Sequence, residues 1–401
     1  MSVSNPRAGK AYWWVALAIV VMALNLRPIL AATGPLLDII QQATGLTDAQ
    51  AGWMTTLPIF VMGLCALAAG PLQRWPGSRA GIALGGLVIA LACALRLVWP
   101  TAGTLLLTAV ASGIGIALVQ ALMPAFIKGR FGARAGTLMG LYSTGIMGGA
   151  AFAAALSPSV AMAFGWAPAQ AMWALPALLA VALWLGCCGQ PANAAALPDS
   201  ARLPAPVWRS GRAWLLMLFF GIGTGAYTLV LAWLAPYYLQ LGWSARASGG
   251  LLAAISVGEV IAGLLVSLLV HRFIDRRVLL LAVLGLVALA LAGLLLAPQA
   301  LVVPITVCLS LGIGALFPLT LIVTLDHARS AVHAGALLGF VQGGGYMLSS
   351  VMPLVAGALR SHGHSLSLAW AIMLSGCAVL AAMAWRFRPH LLAAAGDAPQ
   401  R

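Results

Sequence analysis

Long apolar runs separated by short polar connections dominate the chain. Each run is close to the roughly 20 residues that an α-helix needs to cross a bilayer core, where a helix satisfies its own backbone hydrogen bonds. The pattern predicts twelve membrane-spanning helices, over residues 13–37, 50–72, 80–99, 103–127, 135–158, 166–187, 213–240, 248–270, 278–297, 300–325, 334–358 and 367–386. We therefore predict an all-α membrane protein.

One connection, residues 188–212, is longer and more polar than the others. It is rich in Pro, Ala and Ser and contains Asp199 and three arginines, so it is too polar to span the membrane. It separates six spans from six. We predict an N-terminal six-helix bundle over residues 1–187, a cytoplasmic linker over 188–212 and a C-terminal six-helix bundle over 213–401.

The two halves share glycine motifs at a constant offset. Gly113 and Gly115 of the fourth run correspond to Gly312 and Gly314 of the tenth at an offset of 199 residues. Glycines also dot the fifth and eleventh runs at the same offset. Because each half has an even number of spans, the pattern predicts two parallel repeats related by an axis along the membrane normal. For any single glycine, tight helix packing is an equally good explanation.

The charge distribution predicts the orientation of the chain. Only 7% of residues are charged and 62% are hydrophobic, while the net charge is +14. If the N-terminus is cytoplasmic, seventeen of the 21 basic residues fall on the cytoplasmic side, and the others are Arg27, Arg96, Arg246 and Arg360. The positive-inside rule then predicts two cytoplasmic termini, in a bacterial inner membrane. No basic tail remains for a nucleic acid partner, and membrane lipids are the expected surroundings.

Arg27 is the single charged residue between Trp13 and Leu37. An arginine at bilayer depth costs at least about 2.5–3.5 kcal/mol on insertion scales, so it faces protein, water or a partner. It is either a structural cation paired with carbonyls or an acid, or the binding group for an anionic substrate, since a guanidinium stays protonated and offers several donors. We favour the second interpretation. Pro28 supports it by interrupting the helix at this point.

Glu259 is the acidic residue that lies deep in a predicted span. It either holds helices together by pairing with a donor, or it carries a coupling proton. Other polar or aromatic groups at comparable depth are candidates to shape a central pocket, although each alone is more often a helix-packing contact. They are Asn25, Gln120, Tyr142, Tyr227, Trp233, Gln342 and Tyr346.

Several other functions lack a sequence pattern. The chain has no phosphate-binding loop ending in GKS or GKT, so we expect no nucleotide cofactor. The six cysteines have neither metal-ligand nor disulfide spacing, and we expect no metal site. No Ser-His-acid constellation stands out. We therefore do not expect an enzyme.

The twelve runs around a central linker resemble the major facilitator superfamily. Its signature between the second and third spans is similar to GPLQRWPGSR (70–79), although Arg74 stands where an aspartate is expected. A closer resemblance is to the cyanate transporter subfamily, and it covers nearly the whole chain. It is carried by LNLRPILAATGPLL (24–37), GIGIALVQALMPAFIKGRF (113–131), MGLYSTGIMGG (139–149), WLAPYYLQLG (233–242), GIGALFPLTLIVTLDHA (312–328) and GFVQGGGYMLSSVMPLVAGALR (339–360).

This resemblance implies that Asn25 and Arg27 belong to a substrate site, with aromatic and amide groups of spans 4, 5, 7 and 11 around them. It also implies a neutral residue such as glutamine where this chain has Glu259. Relatives with the same N-x-R-P helix are associated with nitroimidazole or other small-molecule transport. The resemblance therefore leaves the substrate open.

We predict a secondary transporter of a small anion such as cyanate, working by alternating access around Arg27, with Glu259 and protons as candidates for coupling. The expected form is a monomer. One alternative is an exporter of nitroimidazole-like or hydrophobic drugs, which the 14 Met and 14 Trp residues would suit. A non-transporting membrane sensor is a further alternative.

Overall fold

The computed structural model describes residues 6–67, 78–131, 135–188, 207–273, 275–328, 331–363 and 365–387. Residues 70–77 of the motif GPLQRWPGSR, most of the predicted linker and His364 lie outside this part of the chain. Within it, all regular structure is helical. The first half contains α1 Pro6–Leu24, α2 Pro28–Ala31, α3 Leu37–Thr44, α4 Asp48–Leu67, α5 Ser78–Val98, α6 Ala102–Phe131, α7 Ala135–Phe164, α8 Trp166–Ala171 and α9 Ala174–Cys187.

The second half contains α10 Gly211–Gln240, α11 Ala245–Leu269, α12 Arg276–Leu296, α13 Val302–Asp326, α14 Ala331–Ser349, α15 Val351–Ser361 and α16 Ser367–Ala384. Short 3₁₀ segments occur at Gly34–Leu36, Val207–Arg209 and Val270–Arg272. Eleven helical stretches of the described chain are long and apolar enough to cross a membrane, the first being Tyr12–Thr44. The remaining predicted span, 334–358, is built from α14 and α15 together.

Large apolar side chains cover the outside of the helical bundle. Phe164, Leu268 and Leu296 are among the most exposed of them. A soluble protein would bury such a surface, whereas a bilayer core solvates it. The prediction of an all-α membrane protein is confirmed.

Proline explains why the eleventh span is divided. Pro353 has no backbone N–H and its ring crowds the carbonyl of the residue four positions earlier, Ser349. That carbonyl accepts a hydrogen bond from the Thr228 hydroxyl at 2.8 Å, and the Ser350 carbonyl accepts one from Thr56 at 2.9 Å. The break thus releases carbonyls that bind neighbouring spans.

The two halves of the chain contact each other mainly between two pairs of spans. Span 2 (α4) packs along α14 and α15, and span 5 (α7) packs along α11. The space between these contacts holds a central cavity of about 410 Å³.

Candidate functional site

The first span is interrupted where Arg27 lies. Helix α1 ends at Leu24 and α2 begins at Pro28, with Arg27 at its N-cap position. Because Pro28 has no N–H, it cannot hydrogen-bond the Leu24 carbonyl. The Arg27 side chain lines the cavity and is only 5% exposed, and its Nε atom is buried without a hydrogen-bond partner.

Side-chain hydrogen bonds hold this interrupted segment on both sides of Arg27, and two of them join it to other spans. Before it, the Asn25 amide nitrogen donates to the Val21 carbonyl at 2.7 Å and the Pro176 carbonyl at 3.3 Å. After it, Arg96 Nη1 donates to the Ile29 carbonyl at 3.3 Å. Asn25 thus holds the backbone beside Arg27 and is not among the residues that line the cavity, and a role for it in binding stays a prediction.

Arg96 is the centre of a buried polar network in the first half. Its side chain is 2% exposed and donates to the Thr108 hydroxyl at 3.0 Å and to the Gln170 side-chain oxygen at 2.7 Å. Gln170 in turn contacts the Thr33 hydroxyl at 3.5 Å. From the sequence, Arg96 was only a basic residue on the far side of the membrane. The structure makes it a link between the broken first span and its neighbours.

Five of the predicted site residues line the cavity together, namely Arg27, Gln120, Tyr227, Glu259 and Tyr346. Hydroxyl-bearing side chains that the sequence analysis did not select also line it, namely Ser143, Thr144 and Thr224. Ser143 and Thr144 directly follow Tyr142 in the glycine-dotted motif. The helical rotation of span 5 decides which of these three adjacent side chains faces the cavity.

Arg27 and Tyr227 are in direct contact across the two halves. The guanidinium carbon lies 5.5 Å from the centroid of the Tyr227 ring, which is a cation–π arrangement. The Tyr227 hydroxyl is buried without a hydrogen-bond partner. The cavity therefore contains a cation against an aromatic face and a polar group that is not used by the protein.

Glu259 lines the cavity from the second half of the chain and is 4% exposed. Its backbone packs against Gly314, where an added Cβ would meet the Glu259 Cα at 2.5 Å, so only glycine allows this approach of α13 to α11. Among the described residues, neither Glu259 nor Arg27 forms an ion pair with a nitrogen–oxygen distance of 4.0 Å or less. The two opposite charges share a cavity without a direct contact.

Besides Asn25, three predicted site residues lie away from the cavity lining. Trp233 is fully buried, and its Nε1 donates to the Pro353 carbonyl at 3.0 Å. Tyr142 is buried with an unpaired hydroxyl, and Gln342 is half-buried, but neither is among the lining residues. A role for them in binding stays a prediction.

An ion-pair cluster joins the two halves at the far end of the bundle, the end opposite the chain termini. Arg360 Nη2 lies 2.8 Å from Asp38 Oδ1, and Arg360 Nε lies 3.2 Å from Asp48 Oδ1. The guanidinium carbon of Arg360 also lies 5.9 Å from the Trp233 ring centroid. Asp38 and Asp48 belong to the first half and Arg360 to the second, so the cluster holds the halves together here.

Comparison with known proteins identifies the family. The profile of the Major Facilitator Superfamily matches residues 14–350. The chain belongs to this superfamily. The cyanate transport protein CynX of Escherichia coli (strain K12) is 36% identical over 374 residues, covering 93% of this chain and 97% of that protein. The 2-nitroimidazole transporter of the same strain is 31% identical over 381 residues, covering 95% of each chain.

A solved structure has the same fold. The crystal structure of a D-xylose-proton symporter superposes with a TM-score of 0.77, covering 94% of this chain and 98% of that one, at 15% identity. At this identity the likeness supports the fold alone. The predicted major facilitator fold and the predicted similarity to cyanate transporters are both confirmed, and the chain is a multi-pass membrane transporter.

For this transporter, sequence reasoning also left out the far-end cluster. Arg360 was counted only among the basic residues that do not fall on the cytoplasmic side, and Asp38 and Asp48 were not singled out. Asp38 and Arg360 are 322 positions apart in the chain, so no local pattern could connect them. A separate ion pair, between Arg276 and Asp326 at 3.3 Å, lies within the second half.

Proposed function

We propose that this transporter moves a small anion, with cyanate as the first candidate, and that Arg27 binds its negative charge. The observation that carries the proposal is a guanidinium, 5% exposed, that lines a cavity between the halves and has no carboxylate within 4.0 Å in the described structure. A buried charge of this kind is costly unless something neutralises it. An anionic cargo does so, and CynX, a relative over nearly the full length, is named for cyanate transport.

The remaining site residues take supporting roles in this proposal. Gln120, Tyr227 and Tyr346 contact the cargo from the cavity wall, whereas Asn25 fixes the segment that bears Arg27. Tyr142, Trp233 and Gln342 act behind the lining. The bundles 1–187 and 213–401 rock about the cavity in a monomer of the inner membrane, with both termini cytoplasmic.

Glu259 is the proposed coupling group. An anion that enters the cavity meets a second negative charge there, and a proton on Glu259 removes that repulsion. Inward movement of one negative charge also costs about 2.3 kcal/mol per 100 mV of inside-negative potential, so proton symport makes import possible.

Uptake of labelled cyanate into proteoliposomes tests the proposal. Arg27→Gln should lower uptake at least tenfold, and Arg27→Lys should retain part of it because the charge remains without the planar fork of donors. Arg246→Gln, which removes an exposed arginine at the start of α11, is the matched control and should transport normally. Wild-type uptake by Arg27→Gln would refute the role of Arg27.

The second candidate is export of nitroimidazole-like compounds. A cavity of about 410 Å³ with aromatic walls lies within the range of pockets that hold drug-sized ligands, roughly 300–1,000 Å³. The 2-nitroimidazole transporter is also similar over nearly the whole chain. Drug-resistance profiles of a deletion strain, compared with cyanate uptake, separate the two candidates.

A further inference from the structure

The cavity contains two buried ionisable groups of opposite sign. Arg27 comes from the first span and Glu259 from the eighth, and they are 5% and 4% exposed. If their purpose were to neutralise each other, a direct ion pair would be expected. The ion pairs found in the described residues include no contact between them within 4.0 Å.

Both groups are therefore available to a ligand. The Nε atom of Arg27 is buried without a hydrogen-bond partner. Glu259 is held in place by the close approach of its backbone to Gly314, and its side chain lines the cavity. Unpaired buried charges each cost several kcal/mol, and a ligand that offers a negative group to Arg27 and a hydrogen-bond donor to Glu259 lowers both penalties.

The cavity that the two groups line has room for more than a triatomic ion. The cavity of about 410 Å³ would hold roughly a dozen waters at about 30 Å³ each. Its wall includes the aromatic side chains of Tyr227, Phe317 and Tyr346 and apolar groups such as Met139 and Leu316. A flat apolar body can pack against these surfaces.

We propose that the preferred cargo is a ring-sized organic anion that also carries an N–H or amine donor on the edge away from its negative group. The negative group binds Arg27, and the donor binds the Glu259 carboxylate. This inference rests on the proposed function, since it takes Arg27 as the anion-binding group and names the class of anion. A simple anion would satisfy Arg27 but leave Glu259 unpaired, and it would therefore need a proton on Glu259.

A matched pair of ligands tests the second contact. Pyrrole-3-carboxylate and furan-3-carboxylate have nearly the same shape and charge, but only the first has a ring N–H. Binding of each is measured calorimetrically to the purified full-length transporter, with cyanate as a reference anion. The wild type should bind the pyrrole at least tenfold more tightly, as expected for a hydrogen bond to a charged group.

Glu259→Met should abolish the preference and leave both ligands bound with similar affinity. Glu259→Gln should reduce the preference without removing it, because the amide oxygen still accepts a hydrogen bond. Arg27→Gln should weaken both ligands and cyanate together. The melting temperature of each variant without ligand shows whether it is folded. If Glu259→Met is not folded, Glu259→Gln, whose side chain has nearly the same volume as glutamate, tests the contact in its place.

Two results would overturn the inference. If both ligands bind wild type equally and depend on Arg27, the anion site stands and the donor contact to Glu259 does not exist. If the pyrrole preference persists in Glu259→Met, another group accepts the N–H. If all three anions instead bind Arg27→Gln as tightly as the wild type, the proposed function is refuted and the inference with it.

Discussion

Two buried arginines of the first half differ in what surrounds them. Arg96 satisfies its donors with the Thr108 hydroxyl, the Gln170 side chain and the Ile29 carbonyl. Arg27 has a buried Nε without a partner and faces the cavity. Arg96 therefore stabilises the packing of the spans, whereas Arg27 is available to a cargo. Sequence depth alone could not separate these roles.

Arg96→Met should disturb binding through Arg27. The change leaves the Gln170 side-chain oxygen without its donor, at about 1–3 kcal/mol for an unsatisfied group. The Ile29 carbonyl keeps the Thr33 hydroxyl as a donor but loses its bond to Arg96, so the segment that bears Arg27 loses a contact to the third span. We expect a lower melting temperature and about tenfold weaker binding of the cargo anion. Arg96→Lys should recover part of both. A lower melting temperature with unchanged affinity would show that Arg96 is structural only.

Helix breaks are the important features at the scale of elements. Pro28 interrupts the first span beside Arg27, and Pro353 divides the eleventh span beside the far-end contacts. Both prolines could be read from the sequence, but only Pro28 was used there, because a proline near a span end often has no consequence. The glycines of span 5 could be interpreted only as packing positions until their neighbours were known.

Gly149 shows what those glycines do. Helix α7 approaches the end of α1 so closely that a Cβ at Gly149 would overlap the Leu24 carbonyl, the same carbonyl that Pro28 leaves unbonded. Gly149→Ala should therefore separate spans 1 and 5 and destabilise the protein by about 1–3 kcal/mol. Gly186→Ala, where an added Cβ meets nothing within 4 Å, is the control. Equal thermal unfolding of the two variants in detergent would contradict this packing.

The whole molecule is held at the far end by contacts between its halves. Of the ion pairs in the described residues, the two that join the halves both involve Arg360. The side chains are partly exposed, at 18% for Arg360 and 31% for Asp38. Each pair therefore contributes no more than about 1 kcal/mol. In the proposed alternating access, that is enough to bias an equilibrium between states with an open and a closed far end.

Arg360→Gln removes both ion pairs, about 2 kcal/mol at most, and should shift this equilibrium toward opening by up to about thirtyfold. The measurement is the labelling rate of a single cysteine at Thr224, on the cavity wall, by an impermeant thiol reagent in a variant without other cysteines. Arg276→Gln is the matched control, since its ion pair with Asp326 lies within the second half. High salt should raise the labelling of the unmutated Arg360 protein as well. Equal labelling of the Arg360 and Arg276 variants would show that the Arg360 ion pairs do not hold the far end closed.

The sequence by itself determined the class of protein, the spans and the membrane depth of Arg27 and Glu259. It could do so because the free energy of transfer into a bilayer depends on the composition of each run, which is a local property. Family resemblance added the fold and the expected site helix. The fold is confirmed by the structure and the comparisons, and the site helix stays a prediction.

Only the tertiary structure decided which of these groups share a cavity. Arg27, Gln120, Tyr227, Glu259 and Tyr346 face it, whereas Asn25 and Trp233 bind backbone carbonyls. Spans that are apolar on all sides carry no polar stripe to show which way they are rotated. The rotation of each span is set by prolines, by glycine contacts and by partners far apart in the chain. The same long-range contacts decide the burial of Arg96 and the pairing of Arg360 with Asp38.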